Sequence, residues 1–120
     1  MNLEEIKTLE KQYVMQTYAR NDLFLVNGQG CMLYDDKGNS YIDMTSGIGV
    51  NCLGHNHPAL VEALHDQSQK LMHTSNLYYT EPMVQVAKEL VESTGMSKVF
   101  FANSGAEANE GVIKLARKYS

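Results

Sequence analysis

Ser104-Gly105-Ala106-Glu107 combines residue types that start a helix and leave its first turn open to an anion. Ser104 suits the cap position, and Glu107, three residues on, completes a capping box by reaching back to the cap amide. Gly105 and Ala106 carry too little side chain to cover the first backbone N–H groups, which lie at the positive end of the helix. A phosphate fits there without steric conflict. Four such residues also begin helices that bind nothing, so this spacing alone leaves phosphate binding and plain capping both open.

His55 and His57 form the other pair with obvious chemistry, since two imidazoles at i, i+2 can ligate a metal. A structural zinc site needs four ligands, and no cysteine or carboxylate stands around them at a ligand-like spacing. His57 also precedes Pro58, a residue suited to the first position of a helix. The pair therefore reads as structural, with no metal.

The elements that must position these residues follow from periodicity. Leu3, Ile6, Leu9, Tyr13 and Gln16 recur at helical intervals and predict a helix over 3–17. Two β-prone runs, 31–34 and 40–44, flank Asp35-Asp36-Lys37-Gly38-Asn39 and predict a hairpin. Residues 45–57, with three glycines and many small polar groups, predict irregular backbone. A helix beginning at Pro58 takes its apolar face from Leu60, Val61, Leu64, Leu71 and Met72, and another beginning at Thr80-Glu81-Pro82 takes its face from Met83, Val86, Ala87, Leu90 and Val91. Residues 98–102 predict a strand that leads through Asn103 to Ala106 into the last helix, where Val112, Ile113, Ala116 and Tyr119 keep helical spacing up to Ser120. No stop signal follows them, which suggests a chain cut near a helix end. No repeat, low-complexity segment or linker interrupts the 120 residues.

Composition narrows the partners. The net charge is −4 and the ten basic residues are scattered, so no cationic stripe exists to meet a nucleic-acid backbone. Glu4, Glu5 and Lys7 interrupt the start before any secretory core forms, and no apolar run reaches the roughly 18 residues of a membrane span. Cys31 and Cys52 read as free thiols, and the chain as a soluble, cytoplasmic protein without membrane or nucleic-acid partners.

Whole phrases carry more than single motifs. Val99-Phe-Phe-Ala-Asn-Ser-Gly-Ala-Glu-Ala-Asn-Glu110, followed by Ile113-Lys114-Leu115-Ala116-Arg117, resembles the phosphate-binding turn of class III pyridoxal-phosphate (PLP) aminotransferases. Leu33-Tyr34-Asp35, Tyr41-Ile42-Asp43, Thr45-Ser46-Gly47-Ile48 and Leu53-Gly54-His55 with His57-Pro58 resemble the family's amino-terminal segment in order and spacing. His73 to Tyr78, with Glu81-Pro82, is similar to its acetylornithine branch. The likeness runs from about Tyr18 to Tyr119.

The resemblance implies an α/β fold, the amino-terminal part of a PLP-dependent transferase of fold type I. Residues 1–75 would be the segment contributing to the small domain and the active-site loop, and 76–120 the beginning of the large PLP-binding domain. It implies that Ser104, Gly105 and Ala106 hold the cofactor phosphate. It also implies that Ser46 and Gly47 lie in a loop closing one side of the active site, and that Tyr18 reaches the substrate's α-carboxylate end, with Arg20 two residues later. For Tyr18 and Arg20 the alternative is a surface aromatic and a solvated arginine. Ornithine aminotransferases carry a tyrosine at the position of Gly47 that meets the free α-amino group of ornithine, and a glycine leaves room for an acylated amine. A loop residue can also differ for packing reasons alone.

The implied activity is transfer of the terminal amino group of N2-acetylornithine to 2-oxoglutarate in arginine biosynthesis, by a homodimer with its sites at the interface. Rival readings are another ω-aminotransferase acting on ornithine, succinylornithine or 4-aminobutyrate, and a non-catalytic fragment. Such an enzyme needs a Schiff-base lysine and an acid beside the pyridine nitrogen. None of the lysines resembles the family's lysine loop, so no catalytic residue is assigned within these 120 residues, and the fragment by itself is expected to be inactive.

Overall fold

The computed structural model describes residues 1–120, which separate into two compact units, Met1–Met72 and His73–Ser120. In the first unit, helix α1 spans Leu3–Tyr13. Its start is a full capping box: the Asn2 side chain accepts from the Glu5 amide at 3.0 Å and the Glu5 carboxylate accepts from the Asn2 amide at 3.0 Å. The helix ends four residues before the expected 17. Val14 turns extended, and the Gln16 side-chain amide folds back to donate to the carbonyls of Glu10 and Val14, satisfying acceptors that a longer helix would have used itself.

Three antiparallel strands follow in the order β1 (Leu25–Gln29), β2 (Met32–Asp35), β3 (Ser40–Ile42). The β2–β3 hairpin is the expected one, with Leu33 opposite Tyr41 and Tyr34 opposite Ser40. Strand β1 is not legible in the sequence, because Asn27-Gly28 reads as a turn; here the pair lies within the strand, opposite Tyr34 and Leu33. Asp35 is the one fully buried residue, 6% exposed. Its carboxylate accepts from the amides of Lys37 (3.0 Å) and Asn39 (2.8 Å), the Asn39 side chain (2.8 Å) and the Tyr41 hydroxyl (2.9 Å). These four donors close the turn and, led by the Asn39 side chain, hold the Asp35 carboxyl down at about 2.

Residues 45–57 are irregular as expected, apart from a single turn, α2 (Ser46–Gly49). Helix α3, Pro58–Ser68, starts at the expected proline but stops before Leu71 and Met72. The Gln67 side chain donates to the Leu71 carbonyl at 2.9 Å and turns the chain there, so those two apolar residues lie beyond the helix and not on its face.

The second unit holds α4 (Glu81–Thr94) and α5 (Gly105–Tyr119). Gly95, left-handed at φ 71°, ends α4 with its amide on the Val91 carbonyl at 3.0 Å. Residues 98–102, expected as a strand, form no ladder. A strand exists only by pairing, and the second unit contains no strand for them to pair with.

Apolar faces are formed but hardly covered. The chain exposes 10,914 Å², whereas a compact monomer of 13.4 kDa exposes about 6,500 Å². No apolar residue is fully buried, and Val86 and Leu90 on α4 stay more than two-fifths exposed. No helix is long and apolar enough to cross a membrane. Faces of this extent need a cover. The 120 residues produced alone are expected to bind a hydrophobic dye and to melt broadly or associate; a sharp cooperative melt of a dispersed monomer would overturn this.

A second expectation concerns Asp35. Because its folded value lies below the ordinary 3.8, the carboxylate stabilises the hairpin fully above that value, and the contribution is lost as pH falls from 3.8 through about 2. Carboxyl-carbon NMR should place its titration near 2, and Asp35→Asn should abolish the acid loss of the Tyr41 contact.

Candidate functional site

Three places in the fold hold the residues that sequence singled out. In the first unit, the Ser46–Gly49 turn is left-handed: φ is 48° at Ser46, 60° at Gly47, 60° at Ile48 and 83° at Gly49. For the β-branched Ile48 this is a strained conformation, costing on the order of 1–2 kcal/mol, and strain of this kind persists only where the surroundings impose it. Gly47 has its own steric reason, since a Cβ added there would stand 3.2 Å from the Asn51 side-chain amide at an unfavourable φ.

Asp43 imposes the turn. One carboxylate oxygen accepts from the Thr45 amide (3.0 Å), the Thr45 hydroxyl (2.9 Å) and the Ser46 amide (2.8 Å); the other meets His55 Nε2 at 2.7 Å. The His55 contact first, then the Ser46 amide and Thr45 hydroxyl, hold the Asp43 carboxyl well below the usual carboxylate range. His55 is fixed in turn by a backbone bridge, its carbonyl accepting from Gly30 at 2.9 Å and its amide donating to Gly30 at 2.8 Å. Gly28 makes room for the ring, because a Cβ at that position would fall 2.7 Å from His55 Cγ, and Gly54 approaches the Gly30 backbone just as closely as its missing Cβ allows.

Neither Asp43 nor these glycines had been assigned a role from sequence. The available signal was Gly28, Gly30 and Gly54, small residues that make sense once a ring must pass between strand and loop. Of the two histidines, His55 spends Nε2 on Asp43, while His57 caps α3 through its backbone and its Nδ1 has no hydrogen-bond partner.

Tyr18 and Arg20 lie on the segment after α1. Arg20 pairs with the Glu10 carboxylate and stands 6.0 Å over the Tyr18 ring. Lys7 and Asp22 pair at 2.8 Å, so two ion pairs fasten this segment along α1 and frame an open cleft of about 660 Å³. Tyr18 remains 75% exposed, and Arg20 is engaged by the protein's own glutamate.

In the second unit, Ser104 caps α5 as expected, its hydroxyl accepting from the Glu107 amide at 3.2 Å. The return contact differs from the expected box. Glu107 accepts from the Asn103 amide at 2.7 Å, one residue before the cap, which leaves the Ser104 amide free of it. The first-turn amides of Gly105 and Ala106 have no acceptor within the helix, and nothing lies within 4 Å of where a Gly105 Cβ would be. Phe100 packs on the other side of the same helix, against Gly111, where a Cβ would come within 3.0 Å of the ring. The open amides, the absent Cβ and the positive helix end together fit a phosphate.

The family model described as "Aminotransferase class-III" matches residues 13–120. The chain belongs to the class III aminotransferases. It is 58% identical over 120 residues to an acetylornithine aminotransferase of Haemophilus ducreyi, covering 100% of this chain and 30% of that protein. It is 50% identical over 109 residues to a succinylornithine transaminase of Yersinia enterocolitica, covering 91% and 26%. Among solved structures, the acetylornithine aminotransferase of Elizabethkingia anophelis superposes with a TM-score of 0.94 at 36% identity, over 100% of this chain and 31% of that one. The fold is therefore that of an amino-terminal portion of these PLP-dependent enzymes, and the chain spans just under a third of the length of the relatives it matches.

Proposed function

We propose that the complete protein transfers the terminal amino group of N2-acetylornithine to 2-oxoglutarate, giving N-acetylglutamate semialdehyde and glutamate, as a homodimer serving arginine biosynthesis. The observation that carries this reading is the start of α5, where a serine cap stands beside two unshielded amides in a chain 58% identical to an acetylornithine aminotransferase. PLP, when bound, supplies the electron sink that amino-group transfer requires. Ser104, Gly105 and Ala106 would hold its phosphate by backbone N–H donation at the positive end of the helix. Ser46 and Gly47 would line the amine's side of the site, and Tyr18 its carboxylate end. The Schiff-base lysine and the acid beside the ring nitrogen belong to the remainder of the subunit. That remainder and a second subunit would also cover the open faces of α1, α3 and α4.

Gly47 has two reasons to be glycine: the left-handed φ beside the Asn51 side chain favours it, and, where ornithine aminotransferases carry a tyrosine, a glycine would leave room for an acylated amine. A succinyl group fits the second reason as well as an acetyl group does, and the 50% identity to a succinylornithine transaminase supports that second reading. The complete protein should transaminate N2-acetylornithine or N2-succinylornithine in preference to free ornithine and 4-aminobutyrate, in an assay following glutamate formation. A preference for free ornithine would overturn the assignment. The 120 residues alone should show no transaminase activity.

The phosphate turn is tested by cofactor retention. Gly105→Val places a branched side chain in the open space before the amides and should greatly weaken PLP binding. Ser104→Ala should cost only about 1 kcal/mol, the ordinary value of a lost cap, since the backbone donors survive. Dialysis of both variants followed by PLP titration gives the order; equal retention by Gly105→Val and the parent would move the phosphate elsewhere.

A further inference from the structure

Between β3 and α3, one carboxylate and one imidazole join the β1–β2 turn, the end of β3 and the loop before α3, with the Asn56 side chain adding a bond to Gln29 at 3.0 Å. The Asp43 side chain is 6% exposed and His55 21% exposed. Asp43 is tied to the β1–β2 turn through its own amide, which donates to the Cys31 carbonyl at 2.8 Å, and His55 is tied to Gly30 in the same turn by its paired backbone bonds. Both partners therefore stand on one rigid base. From that base the remaining oxygen of Asp43 reaches outward to the amides of Thr45 and Ser46, the two residues that lead into the left-handed turn. Ile48, at the crest of the turn, is 97% exposed and gains nothing from packing in this chain that would offset its strained φ. The conformation is dictated from beneath.

We propose that Asp43 and His55 form a clasp that holds the Ser46–Gly49 turn in shape for the amine substrate, so that His55 acts as a positioning residue through Asp43 without touching substrate or cofactor. The proposal rests on the reading of this turn as part of the substrate site. Ring and carboxylate supply complementary parts: the carboxylate orients two amides, and His55 fixes which way the carboxylate faces. Without His55, one Asp43 oxygen loses its partner, the carboxylate is free to rotate about its χ2, and the turn loses its template. The cofactor phosphate, held by α5, depends on none of these bonds.

The test compares the complete protein with its His55→Phe, His55→Gln and Gly28→Ala variants. Phenylalanine keeps the ring and removes the donor; glutamine restores a donor at similar reach; alanine at 28 displaces the ring from its far side by placing a Cβ 2.7 Å from His55 Cγ. His55→Phe should raise KM for the acylated ornithine about tenfold with kcat within about twofold, the pattern of lost ground-state positioning. PLP absorbance and affinity should be unchanged, His55→Gln should recover most of the loss, and Gly28→Ala should resemble His55→Phe. Amide exchange at Thr45 and Ser46 should quicken in His55→Phe and Gly28→Ala and return in His55→Gln.

An active parent whose His55→Phe variant keeps its KM and its Thr45 and Ser46 exchange rates overturns the clasp. So does a variant that loses PLP in proportion to activity, or a His55→Gln that rescues neither. If His55→Phe does not fold, the contrast between His55→Gln and Gly28→Ala decides by the same readouts. A parent with no transaminase activity on any of these amines overturns the substrate reading instead, and the exchange rates then still decide whether the clasp exists.

Discussion

Two carboxylates fix the β2–β3 hairpin and the loop that follows it, where an apolar core would ordinarily set such positions. Asp35 and Asp43 each accept four hydrogen bonds, and both carboxyls are held below their ordinary range by those donors. An ionised acceptor makes stronger hydrogen bonds than a neutral one, and a carboxylate with partners on both oxygens is held in one orientation. Asp35 fixes the β2–β3 turn. Asp43, eight residues later, uses the strand so fixed as a base from which to shape the loop that follows. The sheet is small, yet it gives two rigid anchor points, at Asp43 and at Gly30, and the left-handed turn depends on both.

Helix α5 handles its first turn by different means. Ser104 and Glu107 satisfy the Glu107 and Asn103 amides, which leaves the amides between them undirected. A full box, as found at the start of α1, closes on the cap residue itself. By shifting the return bond one residue outward, α5 keeps its cap and still presents an open end. The absence of a Cβ at Gly105 extends that opening to the backbone, so a bulky tetrahedral anion can approach to hydrogen-bonding distance.

The apolar faces impose a third constraint. Amphipathic helices gain most of their stability from packing and little from propensity, and in neither unit do they bury a complete face. The capping box of α1, the ion pairs of Lys7 with Asp22 and Arg20 with Glu10, and the glycine stop of α4 define where the elements begin and end. They are local devices, and exposed ion pairs contribute little to stability. The faces remain open within these 120 residues, which span about a third of the length of the relatives they match.

Sequence alone determined the features that rest on local chemistry. Helical periodicity and Pro82 located α4, Pro58 the start of α3, the Asp35–Asn39 run the hairpin turn, and the phrase around Ser104 the family and the capped start of α5. Each is encoded within a few residues, where one side chain meets a backbone group three or four positions away. It misjudged what depends on a partner distant in the chain. Residues 98–102 have strand composition and pair with no strand here. Nothing near Gly28 in sequence announces that His55, 27 positions on, needs its space. The clasp of Asp43 with His55 belongs to the tertiary structure for the same reason: hydrogen-bond partners separated by 12 residues meet only when the backbone between them has folded, and no periodicity encodes that meeting.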